Sequence, residues 1–152
     1  MGDLYNWVLF AHIIGATVWF GGAVAYESLS AVAKRTGDPA EYTRYMYSAG
    51  QASGRVMPVA ALITLVFGVW LVLDGVYEFS DVFVSIGFAA VIIGLGMGLF
   101  VMMPKGKRFM ELVDANGFDD PQAYTIASQI GMADHLQTLV VAIAMFAMVF
   151  KF

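Results

Sequence analysis

The chain has 152 residues, 60% of them hydrophobic, no cysteine and a formal net charge of −4. Because a soluble domain is roughly 45–50% apolar, this composition and a mean hydropathy of +0.74 predict a single membrane domain over residues 1–152. The lack of cysteine excludes disulfides, iron–sulfur clusters and thiolate copper sites, and no basic face is present of the kind that nucleic-acid binding needs.

Four long apolar runs predict four transmembrane helices, since a hydrocarbon core of about 30 Å needs about 20 apolar residues in a helix. The expected helices span about 4–33, 55–74, 81–103 and 122–151. The antiparallel order and a tight turn between the second and third helices indicate an all-α, up-down-up-down four-helix bundle in a lipid bilayer.

Two polar segments predict short cytoplasmic interfacial helices. Segment 39–55 is rich in tyrosine, which favours the headgroup level, and Asp38-Pro39 provides a helix start before it. Pro58 then falls in the first turn of the second transmembrane helix, where proline costs little. The third helix is expected to end at Pro104, with a short helix over 107–114 after it. A second Asp-Pro pair predicts the start of the last helix.

Cationic residues are sorted by side, which predicts the orientation of the bundle. Seven of the eight lie in the first and third connections: Lys34, Arg35, Arg44, Arg55, Lys105, Lys107 and Arg108. Because Lys and Arg stay with cytoplasmic loops, we expect both termini outside (N-out/C-out). The expected location is a bacterial or archaeal cytoplasmic (inner) membrane.

One stripe of the first helix carries the residue types of a cofactor site. Steps of 3, 4, 3 and 4 place five residues on this stripe: His12, Gly15, Trp19, Gly22 and Tyr26. His12 lies about 13 Å deeper than Asp3 at 1.5 Å per residue, and an ionisable residue at that depth faces the bundle interior. Two interpretations follow: an axial haem ligand, with glycines leaving space for the macrocycle, or a histidine bonded to a neighbouring helix at Thr64 or Ser85.

A second ligand for a metal at His12 is not obvious from the sequence. His135 is the only other histidine, and the expected difference in depth of about 10 Å argues against both binding one iron. A single-histidine haem with a weak or open sixth position is the simpler prediction. Two haems, one on each histidine, and Met97 as a second ligand are the alternatives.

Charged residues near the cytoplasmic boundary predict a further polar cluster. Glu27, Arg55 and Asp134 are expected at similar depth on three helices. Charges at this level need partners or water. A structural ion-pair cluster is favoured, and a proton path or the binding of a haem propionate by Arg55 is the alternative.

Methionines and glycines each allow two interpretations. The ten methionines suggest Cu(I), because thioethers suit that ion, but their scatter over apolar faces favours a role as flexible filler. Gly94 and Gly98 form a GxxxG pair, which favours close packing inside the bundle and leaves a homodimer interface as the alternative.

The first helix, with His12 followed by Trp19-Phe20-Gly21-Gly22, resembles that of a group of bacterial membrane proteins. The group comprises the copper-resistance D (CopD) domain, the HemJ-type membrane protoporphyrinogen oxidase and an uncharacterised predicted integral-membrane family. The segment from Pro58 to Gly68-Val69-Trp70 and the end Ala147–Lys151 also resemble the uncharacterised family. The resemblance implies a four-helix membrane unit and, from the oxidase, haem b on His12.

Two departures weaken the transfer of the oxidase activity more than that of the haem. The oxidase has Pro-Arg-Leu after the glycines, where this chain has Ala23-Val24-Ala25-Tyr26-Glu27, and the third helix here has no lysine. From the copper domain the histidine carries over, but a methionine-rich outer loop does not.

We therefore expect a haem-b-binding inner-membrane protein that acts in electron transfer, haem handling or gas binding, with a redox partner if it carries electrons. Trp19 and Tyr26 are expected to pack against the macrocycle, and Arg55 to meet a propionate. The alternatives are a copper-handling or transport subunit, in which His12 and methionines bind Cu(I), and a cofactor-free structural or assembly protein.

Overall fold

The computed structural model describes residues 2–74 and 77–151, and every regular element in them is helical. The elements are α1 (Gly2–Arg35), α2 (Pro39–Leu73), α3 (Val82–Met97), α4 (Met103–Asn116) and α5 (Pro121–Phe150). A π-helical turn, Gly98–Met102, joins α3 to α4 in one continuous rod. Four rods are long and apolar enough to cross a membrane, which confirms the predicted four-helix membrane fold.

The four rods extend well beyond a bilayer. Rods of 30–35 residues are about 45–53 Å long at 1.5 Å per residue, against a hydrocarbon core of about 30 Å. All extend at the end that holds the connections 36–38 and 117–120, here called the basic end. The two segments predicted as separate interfacial helices are helical, but each continues a transmembrane helix.

The predicted break before the second transmembrane helix is absent. Pro58 lies in the interior of α2 and not in a first turn. The helix packs against its neighbours on both sides of this proline, at Tyr42 in one core and at Ala60 and Ala61 in another. At the basic end, Tyr42 of α2 packs in a core with Phe109, Leu112 and Ala127, which holds the polar segment in line with the span.

The π turn explains why the third rod does not end at Pro104. Proline has no N–H and clashes with the carbonyl four residues before it. The N–H of Met103 reaches the carbonyl of Gly98, five residues back, so the hydrogen-bond ladder shifts just before the proline. The chain therefore continues into α4.

Both Asp-Pro pairs start helices as predicted. The Asp38 carboxylate accepts from the N–H of Ala40 at 2.9 Å, and that of Asp120 accepts from the N–H of Gln122 at 2.6 Å. The side chain of Asn116 and the backbone N–H groups of Gln122 and Ala123 hold the pKa of Asp120 below its usual value. Each pair follows a glycine with positive φ, 78° at Gly37 and 87° at Gly117, which suits the end of the preceding helix.

The helices pair as two hairpins. Helix α1 packs mainly against α2, and α3 mainly against α5. Between the hairpins, Trp19 packs in a core with Ala60, Val91 and Val141. Large apolar side chains such as Phe100 point outward, as expected where lipid is the solvent.

Candidate functional site

His12 bonds α1 to α2. Its Nδ1 lies 2.8 Å from the carbonyl oxygen of Thr64. Because a carbonyl only accepts, Nδ1 carries the proton, and a neutral ring then has its lone pair on Nε2. No described residue makes a hydrogen bond to Nε2. A Cβ at Gly68 would lie 3.1 Å from the ring, so this glycine leaves the space that the imidazole fills.

The sequence anticipated Thr64 as a partner of His12, but the bond uses the backbone carbonyl. The Thr64 hydroxyl donates to the carbonyl of Ala60 within α2. The other residue considered, Ser85, donates to the carbonyl of Phe79. Gly68 was missed, although a glycine on a neighbouring span is the residue that a buried ring needs opposite it.

The glycines of the α1 stripe permit close helix packing. A Cβ at Gly15 would lie 2.9 Å from the backbone nitrogen of Thr64, and one at Gly22 would lie 2.1 Å from Cε of Met57. Small residues at such contacts let two backbones approach. The spaces beside Gly15 and Gly22, which the sequence suggested for a macrocycle, are therefore filled by residues of α2.

The aromatic residues of the stripe also have protein partners. Trp19 is 6% exposed, and a Cβ at Gly94 would lie 3.1 Å from its ring. The carbonyl of Tyr26 accepts from the hydroxyl of Tyr45 at 2.7 Å. Gly94 thus packs inside the bundle, whereas Gly98 has no atom near a Cβ position, so the two do not form one outward surface.

Two of the three predicted boundary charges come together. Glu27 Oε2 lies 3.0 Å from Nδ1 of His135, and Asp134 interacts electrostatically with both. We call Glu27, Asp134 and His135 the boundary cluster. Arg55 is exposed and makes no ion pair with any described residue.

The candidate metal ligands lie at different depths. His135 contacts Glu27, which is 15 residues, or about 22 Å, along α1 from His12. Gly94 and the ring of Trp19 face each other and so mark one depth in the bundle. Met97 lies three residues from this level toward the basic end, and His12 lies seven residues from Trp19 toward the other end. The two are therefore about 15 Å apart along the bundle. Within the described residues, no group of three or more His, Cys, Asp or Glu side chains could hold a metal ion.

His12 fits the role of a haem ligand, but the glycines beside it do not leave open space for the macrocycle. His12 has the bonded Nδ1 and free Nε2 of a metal-ligating histidine. Gly15 and Gly22 are covered by α2, and Arg55 lies nine residues from Thr64, about 14 Å toward the basic end.

A family model described as "Predicted integral membrane protein (DUF2269)" matches residues 6–152. No curated protein and no solved structure matches the chain.

Proposed function

We propose that this chain, which belongs to this family of predicted integral membrane proteins, binds haem b in the membrane through Nε2 of His12. Its role would be electron transfer, haem handling or gas binding. The carrying observation is the 2.8 Å bond from Nδ1 to the Thr64 carbonyl. Ligating histidines commonly donate their other N–H to such a carbonyl, which fixes the tautomer and makes the ligand nitrogen more basic.

The proposal assigns haem a single protein ligand. His135 and Met97 lie too far along the bundle to share an iron with His12, so His12 would hold the iron without either of them. Bound haem would supply a one-electron iron couple. The chain's own residues hold the imidazole: the Thr64 carbonyl orients the ring, and Gly68 gives it room.

Orientation and relationships are part of the same proposal. The cations at the basic end favour placing it on the cytoplasmic side of a bacterial or archaeal inner membrane, with both termini outside. The resemblance of the first helix to that of the HemJ-type oxidase supports haem on His12. The departures after Gly22 and in α3 leave the oxidase activity itself outside the proposal.

A structural role for His12 is the second candidate, and the same bond favours it. In that case the imidazole only ties α1 to α2 inside the membrane, where such bonds contribute about 0.6 to 2 kcal/mol. Copper handling is less favoured, because Met97 is about 15 Å from His12 along the bundle.

The test is the absorption spectrum of purified protein from cells supplied with haem. We expect a Soret band in the wild type and in the control His135→Ala, and its loss in His12→Ala. The fold of each variant is checked by its elution volume and thermal midpoint. A colourless wild type, or a Soret band that persists in folded His12→Ala, would contradict haem ligation by His12.

A further inference from the structure

Arg55 limits the apolar part of α2 at the basic end. It lies 19 residues before Asp74, which limits the apolar part at the other end, and this length corresponds to about 28 Å. A hydrocarbon core is about 30 Å thick, so Arg55 lies at the level of the lipid headgroups. It is exposed and forms no ion pair with any described residue. Its guanidinium group is therefore available to a group from the bilayer.

An exposed apolar stripe runs along α2 from Arg55 toward the middle of the membrane. Steps of 4, 3 and 4 place Val59, Leu62 and Val66 on the same face of the helix as Arg55. Each of the three is 49–55% exposed, and we call them the exposed stripe of α2. From Arg55 to Val66 the helix rises about 16 Å, which is close to half of a hydrocarbon core of about 30 Å. An acyl chain of one leaflet that lies along the exposed stripe would therefore have its headgroup at Arg55.

Two lysines of α4 lie near the same depth as Arg55. Cε of Met110 lies 3.0 Å from the Cβ position of Gly50 in α2, so these two residues mark one level. The two helices are antiparallel, and five residues from that level toward the membrane lie Arg55 on α2 and Lys105 on α4. Lys107 lies two residues from Lys105 toward the basic end and is exposed. We call Arg55, Lys105 and Lys107 the basic collar.

The basic collar has no carboxylate that neutralises it. Among the described residues, none of its three cations forms an ion pair, and the ammonium group of Lys105 donates to the neutral amide of Gln129. The acids of the boundary cluster lie at a similar depth, but Glu27 contacts His135 and Asp134 is partly buried. A zwitterionic headgroup would bring its own ammonium group to a surface that lacks a free acid. An anionic headgroup brings the charge that the basic collar lacks.

We propose that the basic collar binds the phosphate of an anionic phospholipid in the leaflet at the basic end, with Arg55 as the main contact and an acyl chain along the exposed stripe of α2. Arginine suits a phosphate group because its planar group of N–H donors can form two parallel hydrogen bonds. The site does not depend on haem, since Arg55 lies about 14 Å along α2 from Thr64, which bonds His12.

Native mass spectrometry of the full chain, titrated in detergent with phosphatidylglycerol or with phosphatidylcholine of the same acyl chains, tests the site. We expect the wild type to bind phosphatidylglycerol more tightly. We expect Arg55→Gln to lower this affinity about fivefold and to leave that for phosphatidylcholine unchanged, since one cation at an anionic headgroup contributes about this factor. Arg44→Gln is the matched control, because it removes the same charge from α2 about 16 Å farther from the membrane.

Three results would overturn the proposal, once the elution volume and thermal midpoint show that each variant is folded. The first is a wild type without preference for phosphatidylglycerol. The second is an unchanged affinity in Arg55→Gln, and the third is an equal loss in Arg55→Gln and Arg44→Gln, which would show that only net charge matters. Soluble glycerol phosphate, which has no acyl chains, is expected not to displace the bound lipid at equal concentration. Displacement would show that the exposed stripe does not hold an acyl chain.

Discussion

The two hairpins begin their second helices in the same way and differ inside the membrane. The sequence Asp-Pro-x-x-Tyr-Thr occurs at 38–43 and again at 120–125. In both copies the aspartate caps the helix and the threonine hydroxyl donates to the proline carbonyl at 2.8 Å. The two tyrosines, Tyr42 and Tyr124, meet edge to face at 5.7 Å between ring centroids. The starts of α2 and α5 at the basic end therefore share one local arrangement.

Within the membrane the hairpins carry different polar groups. The first closes α1 on α2 through His12 and the glycines of its stripe. The second has a π turn before Pro104 and, on α5, Gln137, whose buried Oε1 has no partner in the described part of the chain. We infer that the repeated helix starts serve folding. Residues that carry a function are then expected where the two hairpins differ.

The largest effect is expected from breaking the tight contact inside the first hairpin. Gly15→Ala places a Cβ 2.9 Å from the backbone nitrogen of Thr64, which cannot move away as a side chain does. We expect a loss of about 1–3 kcal/mol in unfolding free energy, measured by unfolding in detergent. Gly21→Ala is the matched control on α1, since nothing lies within 4 Å of its Cβ position. Equal stability of the two variants would contradict this packing.

A smaller effect is expected at the contact between the hairpins. Gly94→Ala puts a Cβ 3.1 Å from the Trp19 ring, which a side chain can partly relieve by a small shift. We expect a loss of about 1 kcal/mol or slightly more, and no loss in Gly98→Ala, where the space is open. If Gly98→Ala is instead the damaging change and alters the oligomeric state, the rod formed by α3, the π turn and α4 uses this face for a dimer.

The smallest effect is expected at the repeated caps, where the two hairpins should respond alike. Asp38→Ala and Asp120→Ala each remove an acceptor for the first N–H groups of a helix, and we expect each to lower the unfolding midpoint by roughly 2–4 °C. Asparagine at either position keeps the acceptor and serves as the control. A large loss in one copy with none in the other would show that the two starts are not equivalent.

Sequence reasoning predicted what depends on local pattern. The four spans, the Asp38 and Asp120 caps and the inward stripe of α1 follow from apolar length, capping residues and helical periodicity. The continuity of α2 did not follow, because Pro58 predicts a helix start and only the core around Tyr42 and Phe109 overrides it.

Contacts between helices that are distant in the sequence could not be predicted either. Glu27 and His135 are 108 residues apart, and the register between helices that joins them is not encoded in either segment alone. The repeat itself was missed as well, although a comparison of the residues after each Asp-Pro pair would have revealed it.

The most direct test of the account is a reduced-minus-oxidised difference spectrum of haem-replete membranes that contain matched amounts of wild type or His12→Ala. The account predicts a haem b signal that depends on the wild-type protein and falls to background with His12→Ala. A wild-type spectrum at background level would contradict haem ligation and leave His12 as a bond between α1 and α2.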